Sequence, residues 1–378
     1  MRKTTIALIF GLCCSIALSA QFEIYLTNTD TGIERATIDG TNRQVLLPAS
    51  FVKAQGITVD EENGKIYWTD WVTDKIQRAN LDGTDPEDLI TSGLELPEGI
   101  ALDVEAGKMY WVDSGTKKIQ RANLDGTEVE DLVIYQNINL DGIVLDVANQ
   151  QMYWTEWGDG AAVGKVKRAN LDGSQIEELA AITFGILKGI ALDLEQGKVY
   201  WTDCSHGTIQ RANLDGSEME TLLSTNLVTP NSLALDTENG KMYWSDLGSN
   251  KLKRANMDGS EVEEVINTDL ESPQGIMLVS CLEKAIGCLP TAVEPIGLPT
   301  APKLYPNPAH DFVILEDLRP GSTIHITNVL GQVVYLKKTN QTQLQLDTST
   351  LPAGIYRLHV FHRAEMWGAA ALVIQSDR

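Results

Sequence analysis

A six-residue motif that recurs six times constrains this chain more than any other feature. Arg-Ala-Asn-Leu-Asp-Gly or a near variant begins at Arg35, Arg78, Arg121, Arg168, Arg211 and Arg254, at intervals of 43, 43, 47, 43 and 43 residues. Tyr-Trp-Thr-Asp or a variant begins at Tyr25, Tyr67, Tyr110, Tyr153, Tyr200 and Tyr243. Gly-Ile-Ala-Leu-Asp or a variant begins at Gly56, Gly99, Gly142, Gly189, Ser232 and Gly275. Three motifs sharing one period of roughly 40–45 residues, with several strands per unit, are the signature of a β-propeller.

The local chemistry supplies the strands. Lys65 to Asp70 is rich in aromatic and β-branched residues and reads as a strand, Lys75 to Asn80 as a second. Asp82-Gly83 and Asn63-Gly64 are tight turns, because glycine takes the positive φ that such turns need. Gly99-Ile-Ala-Leu102 is an apolar run suited to a buried strand. Each unit then orders itself: an innermost Gly-Ile-Ala-Leu-Asp strand, Tyr-Trp-Thr-Asp second, Arg-Ala-Asn third, and an outer strand such as Glu87-Asp88-Leu89-Ile90. Pairing the second and third strands about Val72-Thr73 is expected to put Trp68, Asp70, Ile76 and Arg78 on one face. That would give each blade an Asp–Arg pair beside its Trp, structural because it repeats six times. The repeats open on a second strand, Phe22 to Asn28, and close on an inner one, Gly275 to Val279. The last strand is therefore expected to complete the first blade, hiding edges that an open array would expose.

Tyr67-Trp-Thr-Asp70 and Tyr200-Trp-Thr-Asp203 resemble the motif that names the YWTD six-bladed propellers, the class B repeats of the low-density lipoprotein receptor family. Tyr110-Trp-Val-Asp113, Tyr153-Trp-Thr-Glu156 and Tyr243-Trp-Ser-Asp246 are close variants, and Tyr25-Leu-Thr-Asn28 departs most. The resemblance spans about residues 21–280 and implies protein recognition at a cell surface. The cysteine-rich modules that flank such propellers in receptors are not found here, so receptor biology does not transfer.

The ends of the chain read as addresses. Arg2 and Lys3, the apolar run Ile6 to Leu18, and Ser19-Ala20 form a secretory leader over residues 1–20. Its removal leaves Cys204, Cys281 and Cys288 in an oxidising compartment, where a Cys281–Cys288 disulfide is expected across a short loop. The propeller is placed at 21–288. Residues 289–302 hold Pro290, Pro295, Pro299 and Pro302 and read as a linker. Residues 303–378 alternate short strands and turns, as a small β-sandwich would. Tyr305-Pro-Asn-Pro-Ala309, Asn328-Val-Leu-Gly331, Leu351-Pro-Ala-Gly-Ile-Tyr356 and the apolar end Ala371-Leu-Val-Ile374 resemble the C-terminal sorting domain of type IX secretion cargo. Ala371 stands where a Lys is common. The resemblance implies export across a Gram-negative outer membrane by that machinery, with release or attachment at the outer surface.

Charge narrows the function. The chain has 30 basic and 52 acidic residues, a net charge of −22. Residues 301–378 carry 7 basic and 6 acidic residues and residues 1–20 two basic ones, which leaves −25 on residues 21–300. That balance argues against nucleic acid and against a polybasic membrane surface. No internal run of about 18 apolar residues is present, so no transmembrane segment is expected.

The six repeats act as an internal alignment. The turns after the inner strands and the Asp-Gly turns barely vary, so that face reads as structural, while loops of the opposite face vary and are free for function. The residue before each inner-strand motif is Gln55, Glu98, Asp141, Lys188, Asn231 and Gln274. All are polar, and a propeller would set them around one mouth of its channel, the candidate ligand site. Trp71 and Trp157 follow second strands on that face and suit contacts to a protein or sugar. The 47-residue interval marks a four-residue insertion within Trp157 to Lys165. His206 is the one histidine of the propeller, so a catalytic triad and a histidine zinc site are not supported, and Cys204 reads as a small half-buried residue. No cofactor is required. A Ca²⁺ held by Glu98, Asp141 and Asn231 would be the one metal option. The expectation is thus an all-β chain that binds an extracellular protein or glycan, with a lactonase-like, Ca²⁺-dependent hydrolase or lyase at the channel mouth as the alternative.

Overall fold

The computed structural model describes residues 22–50, 52–158, 163–280 and, toward the C-terminus, 304–305, 312–316, 318–327, 333–349, 351, 354–362 and 365–374. The leader, the linker, and Cys281 and Cys288 with the disulfide expected between them lie outside the described residues.

Six four-stranded antiparallel sheets make six blades. Blade two runs Ala54–Asp60, Lys65–Asp70, Lys75–Asn80 and Glu87–Ile90 from inside to outside. Blades three to six begin at Pro97, Ile138, Leu187 and Pro230 and repeat that order. Blade one is closed as expected: Pro273–Ser280 from the far end of the repeats pairs with Phe22–Asn28, with Tyr25 opposite Met277. Closure leaves no blade dependent on an unpaired end.

The second and third strands pair about Val72-Thr73, but the faces differ from expectation. Trp68 lies opposite Gln77, and Tyr67 opposite Arg78. Directly opposed residues of an antiparallel pair share a face, so Arg78 goes with Tyr67 and Thr69, and Trp68 and Asp70 point the other way. The expected Asp–Arg pair beside Trp does not form. Arg78 instead donates to Tyr67 Oη at 3.3 Å and to the next blade's Leu124 carbonyl at 3.0 Å, and it pairs with Glu87 on the outer strand. The Arg–Glu pair recurs in blades three to six at Arg121–Glu130, Arg168–Glu177, Arg211–Glu220 and Arg254–Glu263. Asp70 caps the turn that follows it, accepting from the backbone N–H of Val72 and Thr73 at 3.1 and 2.9 Å and of Lys53 at 2.8 Å.

The core lies between blades. Tyr67 and Ile76 of blade two pack with Ile100 and Trp111 of blade three, and Tyr110, Val112 and Ile119 of blade three with Ile143 and Trp154 of blade four. Trp68, Trp111, Trp154, Trp201 and Trp244 are completely buried. On the Asp-Gly face, Asp82 Oδ1 accepts from the Thr84 N–H and hydroxyl at 3.0 and 2.6 Å. That turn repeats at Asp125, Asp172, Asp215 and Asp258.

The C-terminal residues form a separate compact unit. Strands Leu304–Tyr305, Phe312–Leu315 and Leu344–Asp347 make one sheet, and Val333–Thr339, Ser322–Thr327, Gly354–His362 and Glu365–Ile374 another. Val313, Leu315 and Leu346 of the first share one core with Ile324, Ile326 and Leu358 of the second, as in a small β-sandwich.

Candidate functional site at the channel mouth

A kink at the start of each inner strand positions the site. In blade two, Ala54 pairs with Asp70 and Ile57 with Trp68, so Gln55 and Gly56 stand out of register. Blades three to six shift at the same place. Such bulges re-aim a side chain, and here they bring the residue before each inner-strand motif to the mouth. Glycine is needed beside it by close approach: a Cβ on Gly56 would lie 2.4 Å from the Glu98 carbonyl oxygen.

The threonine of each Tyr-Trp-Thr-Asp motif fastens this ring, a role the sequence reading missed. Thr69 Oγ1 accepts the Gly56 N–H at 2.9 Å and donates to the Glu98 carbonyl of the next blade at 2.5 Å. Thr27, Thr155, Thr202 and Ser245 make the same clasp. Blade three has Val112 at this position and thus no hydroxyl between Gly99 and Asp141. The variant motif Tyr110-Trp-Val-Asp113 was the available signal.

The side chains of the ring pair across neighbouring blades. Gln55 stands close enough to Glu98 to lower its carboxyl. Lys188 Nζ donates to Asp141 Oδ2 as a salt bridge. Asn231 Nδ2 donates to Gln274 Oε1 at 2.9 Å. Gln55, Glu98, Asp141 and Asn231 line a cavity of about 60 Å³ with the glycines of the waist. Beyond the waist lies a 390 Å³ channel walled by apolar inner-strand residues such as Leu102, Leu145, Leu192 and Leu235.

Charge is unevenly served. Glu98 Oε2 is buried with no hydrogen-bond partner. Burial, then the nearby Asp141 carboxylate, pushes the Glu98 carboxyl up to about 8, with Lys188 and Gln55 opposing. Burial also raises Asp141 despite its ion pair with Lys188. Burial works against the Lys188 charge, but Asp141 and Glu98 outweigh it and hold its ammonium above the usual range. Of the three residues expected to hold Ca²⁺, Asp141 holds the Lys188 ammonium through Oδ2, Asn231 donates to Gln274 through Nδ2, and Glu98 Oε2 has no partner. Among the described residues no three of His, Cys, Asp and Glu gather as a metal-binding group.

Trp71 is 39% exposed, while Trp157 is half-buried and its indole N–H has no partner. Trp157 belongs to a strand that the insertion lengthens, Gln151–Gly158, and lies opposite Asn139. Cys204 is half-buried, and burial pushes its thiol up to about 11, so it stays protonated at neutral pH. His206, which the sequence analysis set aside as a lone histidine, has its Nδ1 2.8 Å from Asp203 Oδ2, while Ser205 Oγ donates to Asp203 Oδ1 at 2.6 Å.

The low-density lipoprotein receptor repeat class B model matches residues 64–104, 107–147, 197–237 and 240–278. The chain carries four class B repeats. It is a YWTD propeller of six blades, and the two long stretches between residue 22 and residue 280 that the model leaves out hold the first repeat and the one with the insertion. The secretion system C-terminal sorting domain model matches residues 303–373, so this YWTD propeller is exported by type IX secretion and is secreted or held at the outer surface. Among the described residues no helix is long and apolar enough to cross a membrane. A chain from the crystal structure of a nidogen/laminin complex is 25% identical with a TM-score of 0.62, the match covering 68% of this chain and 98% of that one. Putative TolB from Agrobacterium tumefaciens (15% identity, TM-score 0.51, 68% and 92% covered) and TolB from Acinetobacter baumannii (13%, 0.55, 69% and 66%) share the fold. No curated protein sequence matches the chain.

Proposed function

We propose that this exported propeller is a binding protein that holds an extracellular protein or glycan on the face bearing the channel mouth. The observation that carries the reading is the contrast between the two faces. The Asp-Gly face spends its polar groups on turns and on Arg links between blades. The mouth face presents six polar side chains of five kinds on one bulged scaffold, with Trp71 exposed nearby. Rigid scaffolds with varied loops are where recognition residues concentrate. The similar propeller in a nidogen/laminin complex supports a protein as the ligand class.

The test is a binding screen of the full chain against surface proteins and glycans, repeated with Trp71→Ala and Trp157→Ala. Capture should weaken by about tenfold or more with each variant, as at interface aromatic anchors, while melting is unchanged. Equal capture by both variants and by a variant of the Asp-Gly face would sink the reading. Ca²⁺ against EDTA should leave the melting temperature in place. A clear loss in EDTA would favour the metal-dependent alternative, because a bound ion stabilises the native state by about RT ln(1 + [L]/Kd).

A further inference from the structure

We propose that the Glu98 sector of the mouth receives the ammonium group of a lysine side chain presented by the protein partner; this deepens the binding reading and rests on it. A charge count starts the argument. Glu98, Asp141 and Lys188 meet at this mouth, and the one ammonium is bonded to Asp141. Glu98 is left with a buried, unpartnered oxygen on the wall of the 60 Å³ cavity. A buried carboxylate without a counter-charge is costly, and a charge-assisted bond from an ammonium is among the strongest ways to satisfy it.

The ring contains its own precedent. Lys188 reaches Asp141 from the next blade, so an ammonium already satisfies one of two neighbouring carboxyls. Two other lysines are engaged elsewhere: Lys53 Nζ donates to the Thr29 carbonyl and Lys117 Nζ to Asn139 Oδ1, each at 2.7 Å. The same sector is where Val112 removes the hydroxyl that would donate to the Asp141 carbonyl, so a second acceptor is left without its clasp. An ammonium brings three donors to such a place. A cavity needs roughly 10–15 Å³ on this measure to admit a water-sized group. The 60 Å³ present therefore accommodate a compact ammonium and the methylenes carrying it. Trp71 and Trp157 belong to the blades on either side of blade three.

The protonation of Glu98 agrees. The groups acting on it are Asp141 and Asp113, which raise it, and Lys188 and Gln55, which lower it. The balance leaves a carboxyl at about 8, so an arriving ammonium displaces a proton.

The experiment is calorimetric titration of the full chain with Nα-acetyl-lysine N-methylamide at pH 6 and pH 8.5. The expected result is saturable binding, weaker at pH 6 by on the order of tenfold or more because protonation competes. Glu98→Gln should lose at least about tenfold, and the Nε-acetylated probe should not bind. Absent binding, equal binding by the acetylated probe, or a flat pH profile of the unaltered chain overturns the proposal, and the pH profile requires no variant to fold. n-Butylamine binding as tightly as the lysine probe would overturn it in favour of a site for free amines. Failure here, with Trp71→Ala still abolishing partner capture, would leave the broader reading standing.

Discussion

Five of the six joints between blades are closed by a hydroxyl, and the joint between blades three and four is closed by Val112. At the joint between blades five and six, Thr202 accepts the Gly189 N–H at 2.9 Å and donates to the Asn231 carbonyl at 2.5 Å. Val112 packs instead with Tyr110, Ile143 and Trp154, exchanging a polar clasp for apolar contact. The unclasped joint is also the one where Glu98 and Asp141 face each other, and its far side is the blade with the insertion. The repeat therefore builds the scaffold, and two departures from it, the missing hydroxyl of Val112 and the blade with the insertion, meet at this joint.

That comparison can be broken at several strengths. The largest effect should come from the part all joints share. Trp154→Ala, at the unclasped joint, should lower stability by about 3–5 kcal/mol, as large-to-small changes in cores do, and Trp201→Ala should cost as much; denaturant unfolding of both measures it. A much smaller loss for Trp154 would mean that the joint is already loose. Next is the clasp itself. Thr202→Val strands a buried N–H and carbonyl and should cost about 1–3 kcal/mol, whereas Val112→Thr should gain about 0.5–1.5 kcal/mol. If both substitutions are neutral, the clasp is geometry without energy.

A titration sharpens the difference further. The folded chain holds the Glu98 carboxyl at about 8, above its value in the unfolded chain. Between those values the folded state binds more protons than the unfolded state, so this contribution to stability falls as pH rises from about 4.5 to about 8 and is level above that. The melting temperature of the native chain should therefore drop relative to Glu98→Gln across that window. A parallel course for the two would show that Glu98 is solvated and titrates normally. The smallest effect should be at the rim: Glu177→Gln removes a half-exposed pair with Arg168 and should cost below about 1 kcal/mol, less still in high salt.

Much of the fold was legible because a repeat is an alignment of the chain with itself. The blade count, the strand order within a blade and the closure of Phe22–Asn28 by Pro273–Ser280 follow from spacing alone. The face occupied by Arg78 was misread although the pairing centre was right, since opposed residues of an antiparallel pair lie on one side and Tyr67, not Trp68, is opposite Arg78. The ring of Gln55, Glu98, Asp141, Lys188, Asn231 and Gln274 could be placed at the mouth from position in the repeat. Its sorting into the bonded pairs Asp141–Lys188 and Asn231–Gln274 could not, because those partners lie 47 and 43 residues apart in different blades.

By itself, then, the sequence determined a six-bladed closed propeller and an exported chain, because period, turn residues and strand composition are local properties that every unit states again. The tertiary structure decided which carboxyl is answered and which is not. Asp141 obtains Lys188 and Glu98 keeps an unpartnered oxygen because side-chain reach across a blade joint is set by the packing of neighbouring sheets. No pattern along one strand carries that information.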